Sequence, residues 1–303
     1  MGPLIPGWTD DVAELSFGPF LRCAGDGGDS SGASISTVRK MSGSLEEFMC
    51  VLVNNMYWEV IDCSGNKLGR IPTGPGPFKC GYGLAVLDGQ KIVFVGGKYK
   101  FRRSSNEVRG LKVRESAFAN AALANVSEFN PATNRWRKLA DMNIPRHNFG
   151  YAVVDRLLYV IRGYTADDVI ILNAEVYNPK TNKWSLMNCP HRPNFLPAFS
   201  FSFNSKLFVV GNELRFIDIY DPRTKTWEEF DSGQTLSVHS YTVVRNKVYF
   251  LNYNIPGMGV FDPEKNSWSW VSVPRADFRF KLGQWNNKVI LSGYHATSVL
   301  INC

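Results

Sequence analysis

Cys189 and His191 stand two residues apart, the nearest this 303-residue sequence comes to a metal-ligand spacing. Two ligands do not hold a zinc ion, which takes three or four, and none of the six cysteines forms a CxxC pair. With only four histidines in the chain, proton transfer through His networks has little material. HExxH, GxSxG and EF-hand patterns do not occur. The glycine-rich run "GPGPFKCGYG" (Gly74–Gly83) leads into a strand-like apolar segment, so it lacks the helix N-terminus a phosphate cradle uses. No catalytic residue, metal or cofactor is therefore expected. What remains for function is recognition.

Composition narrows the partner. Hydrophobic residues at 44% and charged residues at 20% describe a chain able to bury a core. The net charge of +7 is concentrated: Lys98–Arg114 ("KYKFRRSSNEVRGLKVR") holds seven Lys or Arg and one Glu, a local +6, which leaves +1 for everything else. Nucleic acid is set aside as a partner, because aromatic interleaving in that stretch stops at Tyr99 and Phe101. No run approaches 18 apolar residues, so no membrane partner is expected. The N-terminus "MGPLIPGWTDDVAEL" has neither a basic n-region nor an apolar h-region, so no secretory signal is read, and the six cysteines are expected as free thiols in a reducing cytoplasmic and/or nuclear setting.

The elements that must carry any binding residues are written as a repeat. "NPATNRW", "NPKTNKW", "DPRTKTW" and "DPEKNSW" place Trp136, Trp184, Trp227 and Trp268 at intervals of 48, 43 and 41 residues, a propeller-blade period. Before each phrase come two apolar runs joined by a polar turn, as in "GYAVVDRLLYVI", "AFSFSFNSKLFVV" and "YTVVRNKVYFL". These predict hairpins turning near Asp155-Arg156, Asn204-Ser205 and Asn246-Lys247. A third short strand follows, then the Asn/Asp-Pro turn, whose side chain can bond its own backbone, and the Trp opens the outermost strand. The tryptophans read as seam-filling architecture between packed sheets. "VIDCSGNKLGRIP" repeats the turn phrase with Leu68 in place of Trp, and "RFKLGQWNNKVILSGYHATSVLIN" supplies a last unit of three strands. Unit 1 is expected to lack its innermost strand and unit 6 its outermost. The basic stretch is an insertion between strands two and three of its blade.

With "VGG" (Val95–Gly97), "IPRHNFGYAVVDRLLYVI", "AEVYNPKTNKW" and "IDIYDPRTKTW", the sequence resembles the kelch-repeat β-propellers over about residues 45–303. The kelch double glycine is intact at Gly96-Gly97 and elsewhere reads Gly163-Tyr164, Gly211-Asn212, Asn252-Tyr253 and Gly293-Tyr294. The resemblance implies an all-β fold: a kelch-type β-propeller of six blades of four-stranded antiparallel sheets, with a short N-terminal segment outside it. It also implies a partner-binding face, built by loops entering the innermost strand and leaving the second. Entering loops carry Lys79 and Tyr82; Arg146, His147 and Asn148; Arg192, Asn194 and Phe195; His239; and Arg275, Phe278 and Arg279. Leaving loops carry Arg162 and Tyr164, Asn212, Tyr253, and Tyr294 with His295. Arg, Tyr and Phe converging on a rigid mouth make hot spots, and the arginines suggest a target protein offering an acidic or phosphorylated segment.

Residues 1–44 stand outside the repeat. "PLIPGWTDDVAELSF" resembles the opening of an F-box, and its place ahead of a kelch domain is similar to plant F-box/kelch-repeat proteins. The resemblance makes Leu4, Ile5, Pro6, Asp10, Asp11, Val12 and Leu15 the start of a helix that docks on the Skp-type subunit of a cullin ligase. The Gly/Ser/Asp-rich text that follows reads as a linker. The expected division is residues 1–22 as an F-box-like remnant, 23–44 as a flexible linker and 45–303 as the propeller. The function so implied is substrate recognition for an SCF-type cullin-RING ubiquitin ligase. The alternative is a kelch interaction scaffold without ligase docking.

Overall fold

The computed structural model describes residues 21–23, 46–53, 57–61, 67–72, 79–87, 91–99, 121–130, 133, 135–190, 197–211, 214–252, 257–273, 281–285, 288–292 and 299–302. Among them every regular element is a β-strand. Apart from a two-residue ribbon joining Lys79–Cys80 to Lys98–Tyr99, the strands form five four-stranded antiparallel sheets and one of three strands. The second sheet runs Gly83–Leu87, Lys91–Val95, Val126–Asn130 and Arg135–Lys138 from inside out. The third is Gly150–Val154, Leu157–Ile161, Ala174–Asn178 and Lys183–Met187. The fourth is Pro197–Phe203, Lys206–Gly211, Leu214–Asp221 and Thr226–Leu236, and the fifth is Val238–Val244, Lys247–Asn252, Met258–Asp262 and Ser267–Val271. Lys281–Trp285, Lys288–Ser292 and Val299–Asn302 make the sixth. Innermost strands touch in succession from the second sheet to the sixth, and the sixth touches Glu46–Val53 of the first. The row of sheets closes into a β-propeller.

The first sheet corrects an expectation. Unit 1 does not lack its innermost strand: Leu21–Cys23 pairs antiparallel with Glu46–Phe48, ahead of Tyr57–Ile61 and Lys67–Pro72. The short segment lies across the boundary drawn at residue 22. Sequence reading missed it because three residues are too few to show a period.

Burial falls from the second strand outward, as the apolar patterning demands. Leu157–Ile161 and Lys247–Asn252 are buried but for their first residue, since both faces of a second strand meet neighbouring sheets. The outermost strands Lys183–Met187 and Ser267–Val271 are largely exposed. On them the repeat Trp turns inward, as do Met187 and Val271 at the strands' ends. Trp136, Trp184, Trp227 and Trp268 stand directly opposite Phe129, Tyr177, Tyr220 and Phe261 on the third strand. The ring centroids lie 5.1, 5.1, 5.0 and 4.4 Å apart. Such pairs are worth about 0.5–1.5 kcal/mol beyond the area they bury. Two indoles also tie one sheet to the next: Trp184 Nε1 donates to the Ala140 carbonyl and Trp227 Nε1 to that of Asn188, each at 2.9 Å.

The turns follow the chemistry of their residues, with one shift of register. Asp155-Arg156, Asn204-Ser205 and Arg245-Asn246 are consecutive left-handed pairs with φ between 47° and 66°. That twist suits a two-residue hairpin. The third turn is one residue earlier than Asn246-Lys247, because the left-handed pair must begin right after Val244 for Val244 to pair with Lys247. In the repeat phrase Asn178 and Asp221 accept the N–H two residues on, Lys180 and Arg223, each at 2.9 Å.

Candidate functional site

The loops before the innermost strand and after the second meet at one end of the third sheet. His147 N–H donates to the Tyr164 carbonyl at 3.0 Å, Tyr164 N–H returns the bond at 2.9 Å, and the two rings stack with centroids 5.8 Å apart. Asn148 adopts φ 48°, is exposed, and donates its N–H to Gly81 O at 2.8 Å, beside Tyr82 on the preceding sheet's entering loop. A Cβ on Gly81, itself at φ 62°, would lie 2.3 Å from Asn148 Oδ1. So Tyr82, Asn148 and Tyr164 come together at a single end of the molecule, held by backbone bonds over a buried His147.

Arg146, His147 and Arg162 are buried and do not share that surface, which corrects their place in the expected binding set. Arg146 is fully buried, and its Nη2 donates to Glu175 Oε1 at 2.7 Å. Nη1 donates to the carbonyls of Arg162 at 2.8 Å and Asn173 at 2.9 Å. Glu175, equally buried, also accepts from Ile144 N–H at 3.0 Å and from the Asn143 backbone and side-chain nitrogens at 2.7 and 2.8 Å. Burial lowers the Arg146 pKa, and the Glu175 carboxylate pulls it back toward the charged form. Every polar atom on both groups has work inside the sheet, as a buried pair requires.

Arg162 is buried because of where it falls in the repeat. Val95 pairs with Gly83 as Ile161 pairs with Gly150, so the residues after them correspond: Gly96 with Arg162 and Gly97 with Gly163. Their φ values agree, 58° with 56° and 101° with 97°. The double-glycine position of this unit is therefore Arg162-Gly163, not Gly163-Tyr164. Arg162 keeps the left-handed backbone that suits glycine, and its guanidinium reaches the Pro190 carbonyl and the Cys189 thiol. Burial pushes that thiol up to about 11, while Arg162 draws it down. Cys189 is consequently a neutral seam-filling side chain, packed beside the third and fourth sheets.

Glu175 was missed in the sequence although a signal existed. Ser127, Glu175, Asp218 and Gly259 each lie nine residues before a repeat Trp. The two acids at this position are buried. In the fifth sheet the Phe250 ring fills the space, and a Cβ on Gly259 would come within 2.1 Å of it. Of the other expected binding residues, Lys79 and His239 are described only in their strands' backbone. Arg192, Asn194, Phe195, Asn212, Tyr253, Arg275, Phe278, Arg279, Tyr294 and His295 lie outside the described residues, as do Leu4, Ile5, Pro6, Asp10, Asp11, Val12 and Leu15. Among the described residues no group of three or more His, Cys, Asp or Glu could hold a metal ion.

The surface near His147 carries other charges instead. Lys98 Nζ lies 3.4 Å from Asp168 Oδ1, and His147 Nε2 lies 3.3 Å from the same oxygen and 3.1 Å from the Thr165 carbonyl. The basic insertion thus begins at an ion pair with the leaving loop of the third sheet. Asp167 and Asp168 are exposed beyond it.

Known proteins resemble this chain at two depths. The solved structure of YjhT aligns with a TM-score of 0.61 over 84% of this chain and 92% of its own, at 14% identity, a likeness of fold alone. The family model for the Kelch motif matches residues 145–190, the stretch that holds Arg146, Arg162 and Glu175. A protein of Arabidopsis thaliana named as an F-box/kelch-repeat protein is 55% identical over 95% of this chain and 86% of its own length. A second of that name and organism is 32% identical over 95% of this chain and 79% of its own. The propeller, the kelch motif and identity at that level across nearly the whole length place this chain in the F-box/kelch-repeat protein family.

Proposed function

We propose that the protein is a substrate-recognition adaptor of an SCF-type cullin-RING ubiquitin ligase, its propeller holding a target protein and its N-terminal segment docking on the Skp-type subunit. The observation that carries this is the 55% identity, over 95% of the chain, to a protein named for both an F-box and kelch repeats. The residues for docking, as the F-box resemblance implies, are Leu4, Ile5, Pro6, Asp10, Asp11, Val12 and Leu15. The protein acts by positioning, with ubiquitin transfer done by its partners, and it works in the cytoplasm and/or nucleus. An acidic or phosphorylated target would be read by Lys79, Arg192, Arg275 and Arg279, because Arg146 and Arg162 are already used inside the third sheet.

The test is a pull-down of the 303-residue chain with a purified Skp-type subunit, set against a Leu4→Asp/Ile5→Asp/Val12→Asp triple variant. Capture that the variant loses supports the adaptor. Absence of capture by the unmodified chain rejects it and leaves the kelch scaffold without ligase docking.

A further inference from the structure

The charge on the described part of the mouth points to a kind of target. We propose that the exposed tip of the third sheet's leaving loop, Thr165–Leu172, docks a basic and apolar segment of the target, apart from the acidic or phosphorylated stretch read by the mouth's Lys and Arg residues. Four large hydrophobics are well exposed among the described residues, and two of them, Val169 at 60% and Leu172 at 40%, fall within this one loop. Asp167 and Asp168 adjoin them, both exposed. Acid next to bare apolar surface suits Arg or Lys, whose aliphatic stem covers the one while its head meets the other.

The loop is also built to hold its shape. Thr165 N–H donates to Val169 O and Ile171 N–H to Gly163 O, each at 2.9 Å, and Asp168 N–H donates to Thr165 O at 3.2 Å. Val169 N–H bonds Thr165 Oγ1 at 3.2 Å. His147 and Lys98 clamp the loop from below through Thr165 O and Asp168. A preformed surface loses little ordering entropy on binding. Gly163, at φ 97°, is where the loop leaves the sheet; a Cβ there would meet His147 O at 2.8 Å.

The inference rests on the reading that this face holds the target, and it is tested without the Skp subunit. The probes are fluorescent decapeptides of alternating Arg and Leu and of alternating Glu and Leu, titrated onto the full chain by anisotropy. The Arg–Leu peptide is expected to bind, the Glu–Leu peptide not. Asp167→Lys and Val169→Asp, both at exposed positions, should each weaken binding at least tenfold with unchanged circular dichroism. No binding, equal binding of the two peptides, or binding that both variants keep would overturn the proposal. Tighter binding by an Arg102→Ser/Arg103→Ser variant would overturn it in favour of the chain's own insertion as occupant. A dimer in sedimentation that Val169→Asp dissolves would do so in favour of a second copy. A failed peptide arm beside a successful Skp pull-down would leave the adaptor standing and remove only this surface.

Discussion

Two arginines that read as surface hot spots are interior residues, and the reason is countable in hydrogen bonds. Arg146 finds two carbonyls and a carboxylate within 2.9 Å, and Glu175 is satisfied from three nitrogens besides. Removing one partner strands the other's charge away from water. Arg146→Ala should therefore lower the unfolding free energy by about 3–5 kcal/mol in urea, and Arg146→Met with Glu175→Leu should recover only part of it, because the Asn143 and Ile144 N–H groups then lose their acceptor. A drop below about 1 kcal/mol for the single variant would mean the guanidinium is solvated. The tryptophans offer a finer comparison. The Nε1 atoms of Trp184 and Trp227 have carbonyl partners, whereas those of Trp136 and Trp268 are buried without one. Trp→Phe should cost about 1 kcal/mol more at 184 and 227 than at 136 and 268, read as urea midpoints. Equal losses at all four would show that the bond contributes nothing beyond packing.

At the scale of the element, hairpin turns fix which residues correspond between sheets. Asn204 and Ser205 both sit at left-handed φ, 48° and 56°. A β-branched residue there is strained by about 1–2 kcal/mol, so Ser205→Val should lower the unfolding midpoint while Ser205→Gly leaves it unchanged or raised. If Ser205→Val proved neutral, the turn would not have this geometry. The strands and their turn phrases were legible because two-sided burial and Asx-Pro chemistry act over a few residues. Three things were not. Leu21–Cys23 is too short to show a pattern. The turn at Arg245-Asn246 differs by one residue from an equally plausible Asn-Lys. The fate of Arg146 and Arg162 depends on an acid 29 residues away for the first and a glycine-like backbone for the second. Sequence placed both on the right loops, and only tertiary register shows them turned inward.

On the scale of the whole molecule, the N-terminal segment contributes a strand to the fold and, in the proposed adaptor, a docking segment a few residues earlier. Leu21–Cys23 completes the first sheet, whose second strand closes against the sixth. The F-box-like residues lie before it. A chain beginning at residue 25 should lose an inner strand, and its Tm should fall by about 2–4 °C for each kcal/mol that strand contributes. A chain beginning at residue 19 keeps the strand and should melt with the full-length protein; an equal fall in both would mean that residues 1–18 are part of the fold. The most direct test of the adaptor is calorimetric titration of the Skp-type subunit into the full chain and into the chain beginning at residue 19. Saturable binding by the full chain, absent from an equally stable shortened one, is the predicted result. Binding that survives the truncation, or no binding by the full chain, would contradict it.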